Sequence, residues 1–294
     1  MGPESQNNLI DLGLLYQYKR LIRFQLSNPL YLRKKEKMQL IGKRIIVTGG
    51  ARGIGNSVVC SYAMEGAHVA SLDVLDDEGK IVAEEATQKG PGRVNYYHCD
   101  ISSRDEVEKA FEMAVREMDG LDLLVNAAGV NRIIPPEDMS DHDMDLIYKV
   151  NVYGTFLTNQ VAFKYLKKHG GKILNFASVA GMNPYPAGAH YSASKGAVAS
   201  WTRSVAHEWG KYNITVNSLA PAIWTPMYDE RRSLMSKAGL KAHDESYAKV
   251  IPIGGKLGDP EKDLAPVLVF LASEGSRFIT GQIIPVDGGL VSTR

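Results

Sequence analysis

From Lys43 to the C-terminus, short β-branched apolar runs alternate with longer stretches whose apolar positions recur every three or four residues. The runs Arg44–Thr48, His68–Asp73, Val94–Cys99, Leu121–Asn126, Gly171–Ala177, Thr215–Ala220 and Gln282–Val286 read as strands. Helices are predicted between them over Ile54–Glu65, Asp77–Lys89, Arg104–Met118, Met139–Lys168, Tyr191–Tyr212 and Lys262–Ser273. Each parallel crossover needs its own helix, so this order implies a single α/β domain built on a doubly wound, seven-stranded parallel sheet.

Two segments stand outside the alternation. Residues 1–40 carry no strand signal and end in a basic run, Arg33-Lys34-Lys35-Glu36-Lys37. Within them, Leu9 to Leu26 places Leu14, Tyr18, Leu21 and Leu26 near one helical face and Lys19, Arg20 and Arg23 elsewhere, until Asn28-Pro29 ends the helix. The polar face is only sparsely basic, so this N-terminal helical extension is expected to dock on its own subunit or a neighbour rather than on a membrane. Residues 221–251 form a helical insertion after the sixth strand. Open α/β sheets bind ligands along that edge, so a lid is expected there, on a domain spanning 41–294.

Composition narrows the function classes. Of 294 residues, 44% are hydrophobic and 23% charged, the balance of a globular protein. A formal net charge of +1 gives no reason to propose a nucleic-acid partner. No run approaches the roughly 20 apolar residues that cross a bilayer. Asp11 and Lys19 interrupt any signal-peptide pattern, so the expected location is the cytoplasm. Cys60 and Cys99 lie in apolar segments and are expected as buried, reduced thiols. None of the seven histidines has ligand-like spacing, and no metal is expected.

The chemistry begins at Thr48-Gly49-Gly50-Ala51-Arg52-Gly53-Ile54-Gly55, between the first strand and the first helix. Glycines there let the backbone turn sharply and approach a pyrophosphate, whose charge a helix N-terminus stabilises. The second strand ends at Asp73, 18 residues beyond Gly55, where a carboxylate can accept both ribose hydroxyls of an adenosine half. It would also repel a 2′-phosphate, which argues for NAD(H) over NADP(H). Arg52 is the counterweight, as a cation that could tolerate that phosphate.

Tyr191-Ser192-Ala193-Ser194-Lys195 opens a helix, so Tyr191 and Lys195 share one face. A phenol near its ordinary pKa of about 10 is a poor acid-base group, and an ammonium one turn away is expected to bring it down. Tyr31 and Lys35 repeat the spacing without the company. Thirteen residues before Tyr191, an apolar strand ends at Ser178, whose hydroxyl could bind a substrate carbonyl.

Together these segments resemble the short-chain dehydrogenase/reductase family from about residue 40 to the C-terminus. Thr48 through Gly55 is similar to its Thr-Gly-x-x-x-Gly-x-Gly loop, and Asn126-Ala127-Ala128-Gly129 to its motif after the fourth strand. Asn151, Ser178, Tyr191 and Lys195 match the catalytic tetrad, Asp100 matches a residue that contacts adenine, and Pro285-Val286-Asp287-Gly288-Gly289 matches the closing segment. Pro221-Ala222-Ile223-Trp224-Thr225 departs from the pattern, lacking a glycine and one residue before the threonine.

The resemblance implies a Rossmann fold, a nicotinamide cofactor and four roles: Tyr191 protonates a carbonyl oxygen, Ser178 steadies it, Lys195 tunes Tyr191, and Asn151 holds a water linking Lys195 to solvent. It further implies cofactor contacts from Gly49, Arg52, Gly53, Ile54, Gly55, Asp73, Asp100, Ile101, Asn126, Ala127, Ala128, Gly129, Tyr191, Lys195, Pro221, Ile223 and Thr225, and a homotetramer. Asn131, Arg132, Met182, Tyr185, Trp224, Met227 and Tyr228 are candidate pocket residues. Their aromatic and thioether side chains suit a bulky apolar alcohol or ketone, and within the family the chain resembles bacterial 20β-hydroxysteroid dehydrogenases. Arg132 could instead bind a carboxylate or phosphate, which keeps a 3-oxoacyl-thioester or sugar and polyol reductase open. A non-catalytic dinucleotide sensor would need only the loop and Asp73, so the intact tetrad argues for turnover.

Overall fold

In a computed structural model of the chain, residues 38–291 are described; the helix expected over Leu9 to Leu26 lies outside them. Seven strands form one parallel sheet: β1 (Arg44–Thr48), β2 (His68–Asp73), β3 (Arg93–His98), β4 (Leu123–Asn126), β5 (Gly171–Phe176), β6 (Ile214–Pro221) and β7 (Ile283–Val286). Their order is β3-β2-β1-β4-β5-β6-β7, so the winding reverses between β1 and β4. Loops leaving those two strands diverge there and open a crevice above the sheet's C-terminal edge.

Alternation along the strands builds two cores. Ile45 and Val47 face α1 (Gly53–Met64), α2 (Asp76–Lys89) and α9 (Ala265–Ala272), meeting Val59, Tyr62, Val82 and Leu268. Ile46 points to the other face, where Phe111 of α3 (Arg104–Met118), Val161 and Leu166 of α5 (Thr155–Leu166) and Val205 of α6 (Ala189–Trp209) cover it. Both faces are covered by helices, which is why the strands read as apolar runs.

The stretch expected as one helix over Met139–Lys168 is divided. It starts at α4 (Asp141–Ile147), where Ser140 and Asp143 form a reciprocal capping box. It continues as a π-helical segment, Tyr148–Gly154, before α5. The expected lid is also two helices, α7 (Pro226–Ser233) and α8 (Lys237–Val250). Thr225 and Ser236 cap them, each hydroxyl accepting a backbone N–H of the first turn. The departing loop has a defined path: Ile223 bridges Gly258, and Trp224 N donates to Gly258 O at 2.8 Å. Among the described residues no helix is long and apolar enough to cross a membrane.

Candidate active site

The glycine loop leaves β1 and runs into α1. Gly49 has φ +72°, and a Cβ there would lie 2.6 Å from the backbone of Ala128. A Cβ on Gly55 would fall 1.9 Å from Gly49 O. The loop from β1, the Asn126–Gly129 segment from β4 and the start of α1 therefore pack backbone against backbone. The N-terminus of α1 has no side-chain cap and no acidic residue in its first turn. Uncapped amides behind a close-packed glycine loop fit an anionic pyrophosphate. Pro226, at the start of the lid, lies 3.6 Å from the position of a Gly53 Cβ, so α7 begins over this loop.

Asp73 at the end of β2 organises the same loop. Its carboxylate accepts from Ala51 N at 3.0 Å, and from Val74 N and Leu75 N at 2.8 and 3.1 Å. Arg52 is exposed and paired with Glu78. Asp100 accepts from Ser102 N at 2.8 Å, fixing the turn after β3 beside buried Ile101.

The tetrad residues come from three places: the π-helical segment, the turn after β5, and α6, which carries both Tyr191 and Lys195. Asn151 is buried within the π-helical segment and clamps Val130: Oδ1 accepts from Val130 N and Nδ2 donates to Val130 O, both at 2.9 Å. Nδ2 also reaches Ser194 Oγ at 3.1 Å. Wider helical spacing aims this amide across the site, a common use of such bulges. A Cβ on Gly129 would stand 3.2 Å from Asn151 Oδ1 and 3.4 Å from Lys195 Nζ, so the glycine leaves both groups their room.

Ser178 follows β5, and its hydroxyl accepts from Ala180 N at 3.1 Å. The turn after it packs on α6, where a Gly181 Cβ would lie 3.0 Å from Gly196 N. Lys195 is buried, donates to Phe176 O at 2.8 Å, and holds Nζ 5.8 Å from the Tyr191 ring centroid.

The expected lowering of the Tyr191 phenol by Lys195 is not what the chain alone produces. Burial pushes Tyr191 up to about 12, with the Ser178 hydroxyl pulling the other way. Burial likewise brings the Lys195 ammonium down to about 8. In each case the dominant cause is the removal of the charged form from water.

The pocket candidates divide. Tyr185 stands beside Tyr191, ring centroids 5.8 Å apart, and its hydroxyl accepts from Asn131 Nδ2 at 3.3 Å. Trp224 and Tyr228 instead meet each other, edge to face at 4.9 Å, and Tyr228 joins His243 and Tyr247 in the lid's own aromatic cluster. Met182 and Met227 are exposed, at 36% and 46%. Arg132 is not a free cation: Asp143 pairs with it while capping α4. Arg231, overlooked in the sequence among the lid's charges, donates to Tyr185 Oη at 3.0 Å.

One further expectation needs adjustment. Cys99 is buried but Cys60 only half-buried; both are free, and burial raises both thiols. The Val130 and Phe176 main-chain groups that anchor Asn151 and Lys195 were invisible in the sequence, since backbone atoms carry no residue signature. No cluster of three or more metal-ligating side chains occurs among the described residues.

Comparison with known proteins agrees with this geometry. A family model described as enoyl-(acyl carrier protein) reductase matches residues 49–291. The chain is 36% identical over 256 residues to the 3-oxoacyl-[acyl-carrier-protein] reductase of Thermotoga maritima, covering 86% of this chain and all of that protein. It is 32% identical to an NAD-dependent glycerol dehydrogenase of Listeria innocua, covering 84% of this chain and 93% of the relative. A short-chain type dehydrogenase/reductase from Mycobacterium marinum has the same fold, with a TM-score of 0.79 at 32% identity, covering 88% of this chain and 100% of that one. The chain belongs to the short-chain dehydrogenase/reductase family, whose members are oxidoreductases that bind nicotinamide dinucleotides.

Proposed function

We propose that this chain interconverts a secondary alcohol and a ketone on a small oxygenated substrate, using NAD(H). One observation carries the reading: Lys195 is threaded beneath Tyr191 with a main-chain carbonyl, not a carboxylate, as its partner. Its positive charge is therefore left to act on the phenol. Bound oxidised nicotinamide would supply a hydride acceptor and a further positive charge beside it.

In reduction Tyr191 donates its proton to the substrate oxygen; in oxidation it takes the proton back. Ser178 Oγ, fixed by its turn, hydrogen-bonds the same oxygen. Lys195 holds the phenolate form, and Asn151 orders the Val130 backbone and Ser194 around the ammonium. Gly49, Gly53 and Gly55 with the first turn of α1 would hold the pyrophosphate. Asp73 would take the adenosine ribose, next to Asp100 and Ile101. Ala127–Gly129 and Pro221 to Thr225 would flank the nicotinamide half.

Three features support NAD(H) and a polar substrate. Asp73 accepts from Ala51 N in the glycine loop, so its carboxylate would oppose a 2′-phosphate on an adenosine bound there, and Glu78 already engages Arg52. Tyr185 and Asn131 present polar groups beside Tyr191, whereas Trp224 and Tyr228 are used within the lid. The similarity to an NAD-dependent glycerol dehydrogenase points the same way. These features favour the sugar and polyol alternative over the steroid expectation.

The reading extends by family resemblance to a homotetramer in the cytoplasm. Initial rates with NAD(H) and NADP(H) against polyols and hydroxyketones, 20-oxosteroids and an acetoacetyl thioester test it. Turnover is expected for the first group with NAD(H). Turnover confined to steroids, or to the thioester with NADPH, overturns the reading.

A further inference from the structure

Beside Tyr191 lies a cation that no carboxylate neutralises. Arg231 of α7 is half-buried, donates Nη1 to Tyr185 Oη at 3.0 Å, and sits 5.4 Å over the Tyr185 ring. Tyr185 also neighbours Tyr191, with ring centroids 5.8 Å apart, so a single aromatic residue touches both the guanidinium and the phenol. Among the described residues Arg231 forms no ion pair, whereas the adjacent Arg232 binds Asp244, and Arg132 binds Asp143. Asp229, two residues earlier, is taken by the Trp224 indole at 2.9 Å.

A second observation points to a ligand at the same place. Asn131 donates to the Tyr185 hydroxyl at 3.3 Å, but its own carbonyl oxygen is buried with no hydrogen-bond partner. Tyr185 Oη accepts from Asn131 and Arg231 together, so its proton remains a donor for something outside the chain. A buried acceptor left without a donor is destabilising, and a ligand that donates to it removes that cost. A guanidinium spending one of its five N–H groups on a phenol keeps an edge for an anion.

We infer that Arg231, with Tyr185 and Asn131, reads an anionic group on the substrate. The substrate class is then a hydroxy acid or a phosphorylated polyol, with its oxo counterpart, whose charge lies a few bonds from the carbinol carbon. The unpaired Asn131 oxygen would accept a neighbouring substrate hydroxyl. This rests on the reading that Tyr191 handles the carbinol oxygen. Arg231 is a specificity-determining residue here and takes no part in the hydride step.

The alternative role for Arg231 is a latch tying α7 to the Tyr185 loop. The two are separable, because losing a latch slows every substrate and losing an anion reader slows only charged ones. The test compares kcat/KM for NAD+ reduction by erythronate, xylonate and gluconate with that for erythritol, xylitol and glucitol, and for glucitol phosphate, in wild type and Arg231→Met. At least one anion should exceed its neutral partner, the carboxylate and phosphate arms showing which group is read. Arg231→Met should lose about thirtyfold or more on that anion and about threefold or less on the alditols. Equal wild-type rates for charged and neutral substrates overturn the proposal, as does an equal loss on both in the variant.

Calorimetric binding of the same acids to the full chain separates this proposal from the one it rests on. Saturable binding to wild type that Arg231→Met abolishes upholds the anion site even without turnover, in which case the alcohol chemistry is what fails. Absence of binding to wild type, or unchanged binding to the variant, overturns the anion site.

Discussion

Lys195 Nζ donates to the main-chain carbonyl of Phe176 at 2.8 Å, joining the start of α6 to the last residue of β5. Ser178 stands two residues past Phe176 and Tyr191 one helical turn before Lys195. The bond therefore sets the distance between the two side chains proposed to share the substrate oxygen. It also keeps the ammonium away from carboxylates that would cancel its charge.

Tyr191→Phe removes the proposed proton donor without altering the loop that would hold the dinucleotide. Turnover should fall below about a tenth of wild type while NADH affinity stays within about threefold. Steady-state kinetics and fluorescence titration check the two halves. A variant that keeps most of its rate removes Tyr191 from the reaction.

Lys195→Met tests the burial of the ammonium through stability. The ammonium is pushed from its ordinary 10.5 down to about 8. Below about 8 both folded and unfolded chains hold the proton, and the cost of burying the charge is fully present. As pH rises from about 8 towards 10.5 the folded chain sheds the proton first, and that cost disappears. Wild type should therefore gain stability relative to Lys195→Met over this window. Melting temperatures of both proteins at pH 7 and pH 10 measure it; a constant difference contradicts the depressed ammonium.

Asp73→Ala should weaken NADH and narrow its advantage over NADPH, because it removes a hydroxyl acceptor and a repelling charge together. Adding Glu78→Gln frees Arg52 from its ion pair and should move preference further towards NADPH. Dissociation constants for both dinucleotides decide this. If wild type already favours NADPH, Asp73 does not have the proposed role.

Asn175→Leu probes a polar network buried between sheet and helices. Asn175 Oδ1 accepts from Asn126 and Asn159, both at 2.9 Å, and Nδ2 donates to Thr202 Oγ1 at 3.0 Å. The substitution strands several buried polar groups and should cost about 3 kcal/mol or more. Urea unfolding measures the loss; a change under about 1 kcal/mol means that the network relaxes around the leucine.

The alternating pattern of the chain was enough for the parallel, doubly wound sheet, because strands covered on both faces must be apolar throughout. All seven strands formed close to where that pattern placed them. The glycine loop, Asp73 and the Tyr191–Lys195 spacing were also legible, since each depends on residue type at short range. Tertiary structure alone decided what depends on partners far apart in the chain. It broke the Met139–Lys168 helix into a π-helical segment so that Asn151 could clamp Val130, 21 residues away. It neutralised Arg132 with Asp143 and left Arg231 without a carboxylate. It also raised Tyr191 where the spacing had suggested lowering, because desolvation is set by everything packed around a group and local sequence shows only its nearest charge.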